Sequence, residues 1–229
     1  MNQPNFGSSN SSGSIALQSF MQRVYQWMAA GLAVTGAVAL WAAGNTALLQ
    51  ALAGGGFLVL AILEIGIVFW LSAAITKISP TAAIMGFLIY SALNGLTMSY
   101  IFVVYTGASI ATTFFITAAT FGGVSLFGWT TKSDLSSMRG VLMMALIGFL
   151  IASVVNIFLH SPALYWILSY AGLAIFIGLT AYDTQMLKQW HQSGVMAGEQ
   201  MAIMGALKLY LDFINLFLLL LRLFGRRRD

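Results

Sequence analysis

Seven stretches of this chain, each twenty residues or longer and nearly free of charge, are long enough to cross a lipid bilayer as helices. At ~1.5 Å per residue, twenty residues cover the ~30 Å of hydrocarbon in a typical membrane. The stretches fall at 24–43, 56–76, 82–104, 107–128, 138–159, 163–187 and 201–224. In lipid every backbone N–H and C=O must be paired within the protein, and segments of this length meet that demand as α-helices. With 59% hydrophobic residues and a mean hydropathy of +0.88, 229 residues could not enclose so much apolar surface in one soluble core. The expectation is an all-α membrane protein: a single seven-helix transmembrane domain over 20–229, preceded by a disordered polar tail at 1–19. That tail has no basic stretch followed by an apolar one and does not read as a cleavable signal peptide. The run from Phe20 to Trp27 reads as an interfacial lead-in, with Arg23 towards headgroups and Tyr25 and Trp27 at the boundary.

The breaks between stretches carry turn chemistry: Gly44-Asn45, Gly54-Gly55-Gly56, Ser79-Pro80, Tyr105-Thr106-Gly107, the polar run from Thr130 to Arg139, Ser161-Pro162, and Gln189 to Gln200. Lysine and arginine in these breaks set the expected orientation. Loops two, four and six hold Lys77, then Lys132 and Arg139, then Lys188, whereas loops one, three and five hold none. Positive loops stay inside, so the N-terminus is expected in the cytoplasm and, after seven crossings, the C-terminus outside. Arg222, Arg226, Arg227 and Arg228 argue against that, because a cytoplasmic tail would need the last segment to turn back rather than cross. The net charge of +4 lies in loops and tail and reads as topology rather than as affinity for nucleic acid. Without cysteine, disulfides and thiolate metal sites are excluded.

Three carboxylates, Glu64, Asp183 and Asp212, fall inside apolar segments of a chain that is only 7% charged. A carboxylate within a span is costly and is tolerated mainly where it faces the bundle interior or an aqueous path. In the last segment Gly205, Lys208, Asp212, Asn215 and Arg222 share one stripe of a helix. Lipid cannot solvate that stripe, so the last helix is expected at the centre of the bundle. Ser153, Asn156 and His160 form a shorter row in the fifth segment. Ser91, Gly95 and Ser99, with Asn94 beside them, form a small-residue ridge in the third. Both rows read as packing and interhelical hydrogen bonding. Glu64 reads equally as a second ion-path carboxylate or as the partner of a polar group on a neighbouring helix.

Asp183 and Asp212 admit two readings. In one, Asp183 is interfacial and solvated while Asp212 pairs with Lys208 one turn earlier on its own helix. In the other they form a dyad. Two carboxylates in contact cannot both ionise cheaply, so they share a proton, and the pair becomes a pH switch between two helices.

The stretch Ala206 to Phe217 (ALKLYLDFINLF), followed by leucines and Arg222, resembles the terminal signature of the Bax inhibitor motif family. Ala181 to Gln185 (AYDTQ) is similar to its second signature, and Ile62 to Glu64 to a third, weaker one. The resemblance runs from about Phe20 to Arg228 and is closest to bacterial inner-membrane members. It implies a seven-helix bundle with the last helix central, and a pH-sensitive calcium leak gated by an aspartate pair. Carried over by position, those aspartates are Asp183 and Asp212, with Glu64, Lys208 and Asn215 as accessory polar groups. The resemblance also implies that calcium permeates rather than resides as a cofactor. Two positions depart from the family pattern and bear on the pH midpoint. Ile75 stands where a relative with the dyad has an arginine, with only Lys77 close by, and Lys208 is unusual within the signature.

Other functions compete with this one. A lysine deep in the seventh segment suggests a retinal protein, but the third segment has no acidic counterion. No internal repeat of discontinuous segments points to a coupled transporter. Some bacterial relatives imply a non-conducting regulator that binds a membrane protease or another integral membrane partner. His160 and His191 are far apart and fit no zinc-protease spacing. With no phosphate loop or nucleophile elbow either, the chain is not expected to be an enzyme.

Overall fold

A computed structural model describes residues 8–192 and 198–228. Nine α-helices are named here among those residues: α1 (Ser8–Ala43), α2 (Thr46–Ala51), α3 (Phe57–Ala74), α4 (Pro80–Met98), α5 (Ile101–Val104), α6 (Gly107–Thr130), α7 (Arg139–Leu159), α8 (Pro162–Gln192) and α9 (Glu199–Phe224). They build seven helical segments long and apolar enough to cross a membrane. α2 with α3, and α4 with α5, each make one of them, and the 3-10 turn Leu135–Met138 leads into α7.

The segments match the expected spans to within a few residues, with three differences. The polar tail expected over 1–19 lies outside the described residues for its first seven positions, and from Ser8 the chain is helical. Leu17, Phe20, Met21 and Val24 are buried, which extends α1 well before the apolar run begins. The Gly54-Gly55-Gly56 run, read as a break, is a kink inside the second segment. Gly55 takes φ 113°, a conformation open to glycine, and helix resumes at Phe57. Finally, α8 continues to Gln192, beyond the expected end at 187.

Helix starts follow from local chemistry. Ser79 caps α4 by accepting from Ala82 N at 3.2 Å, with Pro80 in the first turn. Thr106 caps α6 through Ser109 N at 3.3 Å. The ridge of α4 packs on α1, since a Cβ on Gly95 would lie 2.7 Å from Thr35 O and 2.8 Å from Val38 Cβ. Ser91 and Ser99 donate to carbonyls of their own chain segment, Phe87 O at 2.9 Å and Leu96 O at 2.6 Å.

Burial is uneven. Sixteen of the 26 residues of α9 are buried, and the helix packs against α1, α4, α6 and α8. In α7 only Leu142 is buried, and in α3 only Leu60 and Leu71; the outward sides of both are rows of exposed Ile, Leu, Val and Phe suited to lipid. The half-buried positions of α9 recur as Met204, Lys208, Leu211, Asn215, Leu218 and Arg222. The polar stripe therefore lies on the least enclosed side of the helix, while Asp212 and Gly205 beside it are buried.

Candidate functional site

Asp183 lies nine residues before Gln192 at the end of α8, and Asp212 thirteen residues after Glu199 at the start of α9. The difference of four residues is ~6 Å along a helix axis, so the antiparallel pair brings the two acids to similar depth. The extra turn at the end of α8 is what closes the gap. Both side chains are buried. Beside Asp183 stands Lys208, whose Nζ is 3.9 Å from Asp183 Oδ1, an ion pair just beyond hydrogen-bonding length. The reading in which Lys208 serves Asp212 alone is thus replaced by one in which its amine reaches across to α8. Asp183 and Lys208 are the charged groups that act on Asp212. Asp212 Oδ2 is enclosed and has no hydrogen-bond partner among the described residues.

The α6–α8 contact holds Asp183 in place. A Cβ on Gly128 would fall 2.4 Å from Ala181 O, so the two backbones touch two residues before the acid. Thr184 Oγ1 donates to Thr180 O at 2.8 Å and lies 3.3 Å from Ser125 Oγ. Lys188 Nζ donates to Trp129 O at 3.0 Å and sits 5.3 Å over that indole ring. Gln185 is a residue that sequence reasoning missed. Its amide donates to Ser133 O at 2.9 Å and accepts from Leu135 N at 2.8 Å, tying α8 to the loop before α7. In that loop Asp134 accepts from Ser136 N at 2.9 Å, and this backbone hydrogen bond holds its carboxyl below the usual range.

Glu64 is elsewhere. It accepts from Thr97 Oγ1 at 2.6 Å and from Asn94 Nδ2 at 3.4 Å, both on α4. Asn94 Oδ1 in turn accepts from Tyr210 OH at 3.1 Å, and Tyr210 OH is 2.6 Å from Thr35 Oγ1, which is also 2.8 Å from Ser91 O. With one proton on each hydroxyl, Tyr210 and Thr35 can make two of these three contacts as hydrogen bonds at a time. The network reaches α9 through Tyr210, two residues and so about 200° around the helix from Asp212. The structure therefore does not bring Glu64 to the aspartates. It gives Glu64 polar partners on the neighbouring helix.

The remaining expected residues are dispersed. Asn215 is half-buried and donates to Leu211 O on its own helix at 2.8 Å. Arg222 lies 4.8 Å over the Tyr165 ring. His160 is an exposed cap of α7 with φ 49°, and Asn156 accepts from Ser161 N at 3.1 Å to close that turn. His191 stacks on Phe20, ring centroids 5.1 Å apart. Arg23, expected towards headgroups, and Trp27, expected at the boundary, both turn to Glu199. Arg23 Nε is 3.8 Å from the carboxylate and the Trp27 indole donates to it, because the first turn of α9 presents that acceptor beside α1.

Residues 17–229 match the family model for the inhibitor of apoptosis-promoting Bax1. The chain belongs to the Bax inhibitor family. It is 50% identical over 225 residues to the inner membrane protein YbhL of Escherichia coli (strain K12), covering 93% of each chain. An uncharacterized protein of Borreliella burgdorferi is 43% identical over 216 residues, covering 92% of this chain and 93% of the relative. Another from Rickettsia prowazekii is 39% identical over 216 residues. In this Bax inhibitor family protein Ile75 is buried in the apolar core and Lys77 is exposed. The cation beside Asp183 is Lys208, supplied from α9 itself.

Proposed function

We propose that the protein is a pH-sensitive calcium leak of the plasma membrane, gated where Asp183 and Asp212 meet across α8 and α9. The observation that carries the reading is a buried carboxylate on each of two adjoining helices, with Asp212 Oδ2 lacking a donor among the described residues and Lys208 paired to Asp183. A carboxylate oxygen enclosed in this way is stable only with a proton or a cation at hand. Whether one proton is present or none changes the force between α8 and α9, from attraction through a shared hydrogen to repulsion between two charges. That change is a gate at a helix interface. The lysines of loops two, four and six support a cytoplasmic N-terminus, and with it an Asp183 end of α8 on the cytoplasmic side. Family membership and the identity to an inner membrane protein support a plasma-membrane location.

Calcium flux into liposomes holding the purified protein tests the reading. Asp183→Asn and Asp212→Asn keep shape and hydrogen-bonding capacity and remove the titration. Either should leave flux present, changed in size, and with most of its dependence on pH lost, because the shared proton is gone. Two unaltered pH profiles would remove the pair as the gate. If the wild type carries no calcium, a regulator of an integral membrane partner takes the place of the leak.

A further inference from the structure

α1 and α6 both pack on α9 and leave a cleft of about 550 Å³ between them at the Arg222 end of the bundle. Its walls include Leu32 and Gly36 of α1 and Ala111 and Phe114 of α6, and its floor is Ile214 and Phe217 of α9. One charged residue lines it: Arg228, at the mouth.

Arg228 is not there by the accident of a loose tail. Its backbone N donates to Val104 O at 2.9 Å, Thr106 N donates to Arg226 O at 3.1 Å, and Tyr105 and Arg227 form an antiparallel bridge. Arg226 N donates to Ser109 Oγ at 2.8 Å. The tail is thus laid as a short strand along the turn before α6, and it carries Arg228 to the cleft. Among the described residues Arg228 has no acidic partner, since both ion pairs there lie elsewhere, at Glu199 and Asp183.

The depth of the cleft identifies the occupant. From Phe224, the last residue of α9, to Phe213 at the inner end of the floor is eleven residues. That is ~16 Å at 1.5 Å per residue, half of the ~30 Å hydrocarbon layer. The cleft therefore begins at the level of headgroups and ends near the bilayer midplane, which is the reach of one leaflet's acyl chains. An apolar slot of that depth with a guanidinium at its mouth is complementary to a chain carrying a phosphate at its end.

We propose that this cleft is a binding site for one anionic phospholipid, its acyl chain lying between α1 and α6 against α9 and its phosphate on Arg228. The site is independent of the aspartate pair and of any calcium flux. It gives the tail arginines a function at an end of the bundle where the loops carry no lysine or arginine. Because the floor is α9 on either side of Phe213 and Ile214, the bound chain touches the residues that directly follow Asp212 in sequence.

Native mass spectrometry of the detergent-purified full chain, with dioleoyl phosphatidylglycerol or dioleoyl phosphatidylcholine added at equal concentration, tests the site. The wild type should retain one phosphatidylglycerol in preference to phosphatidylcholine, and Arg228→Gln should lower that preference about five-fold. Arg228→Lys should keep it, and Arg226→Gln, off the cleft, should leave it within about two-fold. Gly36→Leu puts a side chain into the cleft from its α1 wall, where an added Cβ meets nothing within 4 Å. It should reduce retention of both lipids while the chain still elutes as a single folded species. Equal retention of the two lipids by the wild type overturns the proposal. A preference that survives Arg228→Gln, or retention that survives Gly36→Leu, does the same. Displacement of the lipid by inorganic phosphate alone also overturns it, because the site would then be one for the free anion.

Discussion

Gly128→Ala adds one methyl group where α6 and α8 touch, and its effect follows from the distances there. The new Cβ would lie 2.4 Å from Ala181 O and 3.1 Å from Ala181 C and Cα. Ordinary contact lies near ~3.5 Å, so the helices must part by roughly 1 Å. The obstacle is backbone on both sides, and no side chain can rotate out of the way. Overpacking of this kind costs ~1–3 kcal/mol, and the rigid contact argues for the upper part of that range. The higher helix propensity of alanine returns at most ~1 kcal/mol. The net loss of ~1–2 kcal/mol converts to a melting temperature about 2–8 °C lower for a chain of this length. The parting also takes Thr184 Oγ1 out of reach of Ser125 Oγ, now 3.3 Å away. The assay is thermal unfolding of purified protein in detergent, followed by loss of the monodisperse size-exclusion peak. Gly123→Ala is the control, on the same helix with open space around its Cβ. It gains propensity and meets nothing, so it should melt at or above the wild type. If Gly128→Ala melts with the wild type, or if both glycine variants fall equally, the close approach does not hold the two helices together.

Tyr210→Phe removes the hydroxyl that joins Thr35 to Asn94 and should cost ~1–2 kcal/mol. In the same melting assay Thr35→Val should cost less, and the two together less than their sum. Gln185→Leu strips the partners from Ser133 O and Leu135 N; amide exchange should rise across 131–138 while the spans stay protected, and unchanged exchange would refute the tie. Lys208→Ala removes the cation beside Asp183, so the midpoint of the flux profile should move to higher pH, and a shift to lower pH would assign Lys208 another role. Reporter fusions should place the N-terminus in the cytoplasm and the C-terminus outside; a cytoplasmic signal from both ends would mean six crossings.

Much of this architecture was legible because lipid is an unforgiving solvent. A run of about twenty apolar residues in a membrane has few alternatives to a helix, and seven such runs were plain in the sequence. Asp183 and Asp212 stood out for the same reason, as charges where charges are costly. Harder to read was whatever depended on a partner far along the chain. Gln185 and Lys188 look like the polar end of a span, yet Ser133 O, Leu135 N and Trp129 answer their polarity, so α8 stays helical past them. Tyr210 sits in an apolar signature and gives no local hint that its hydroxyl meets Thr35 and Asn94. Arg23 and Trp27 carry a good interfacial pattern, and nothing near them in the sequence announces that Glu199, 172 residues from Trp27, is their partner. The three glycines from Gly54 promised a loop, but glycine permits a kink as readily as a stop. Apolar sequence on both sides kept the segment in the membrane.

The two ends of α9 are both tied down. At one, Glu199 is held by Arg23 and Trp27, and Gln200 Nε2 donates to Ile78 O at 3.3 Å. At the other, the residues just past Phe224 are bonded through their backbone to Val104 and Thr106. A rod fastened at both ends cannot slide along its length like a piston without breaking one set of bonds. Motion that separates Asp183 from Asp212 is therefore cheapest when α8 swings and α9 stays put, as a door moves on a fixed post. α8 has the freedom to do so on one side, because the helix that flanks it there, α7, has a single buried residue and an outer side of exposed apolar residues.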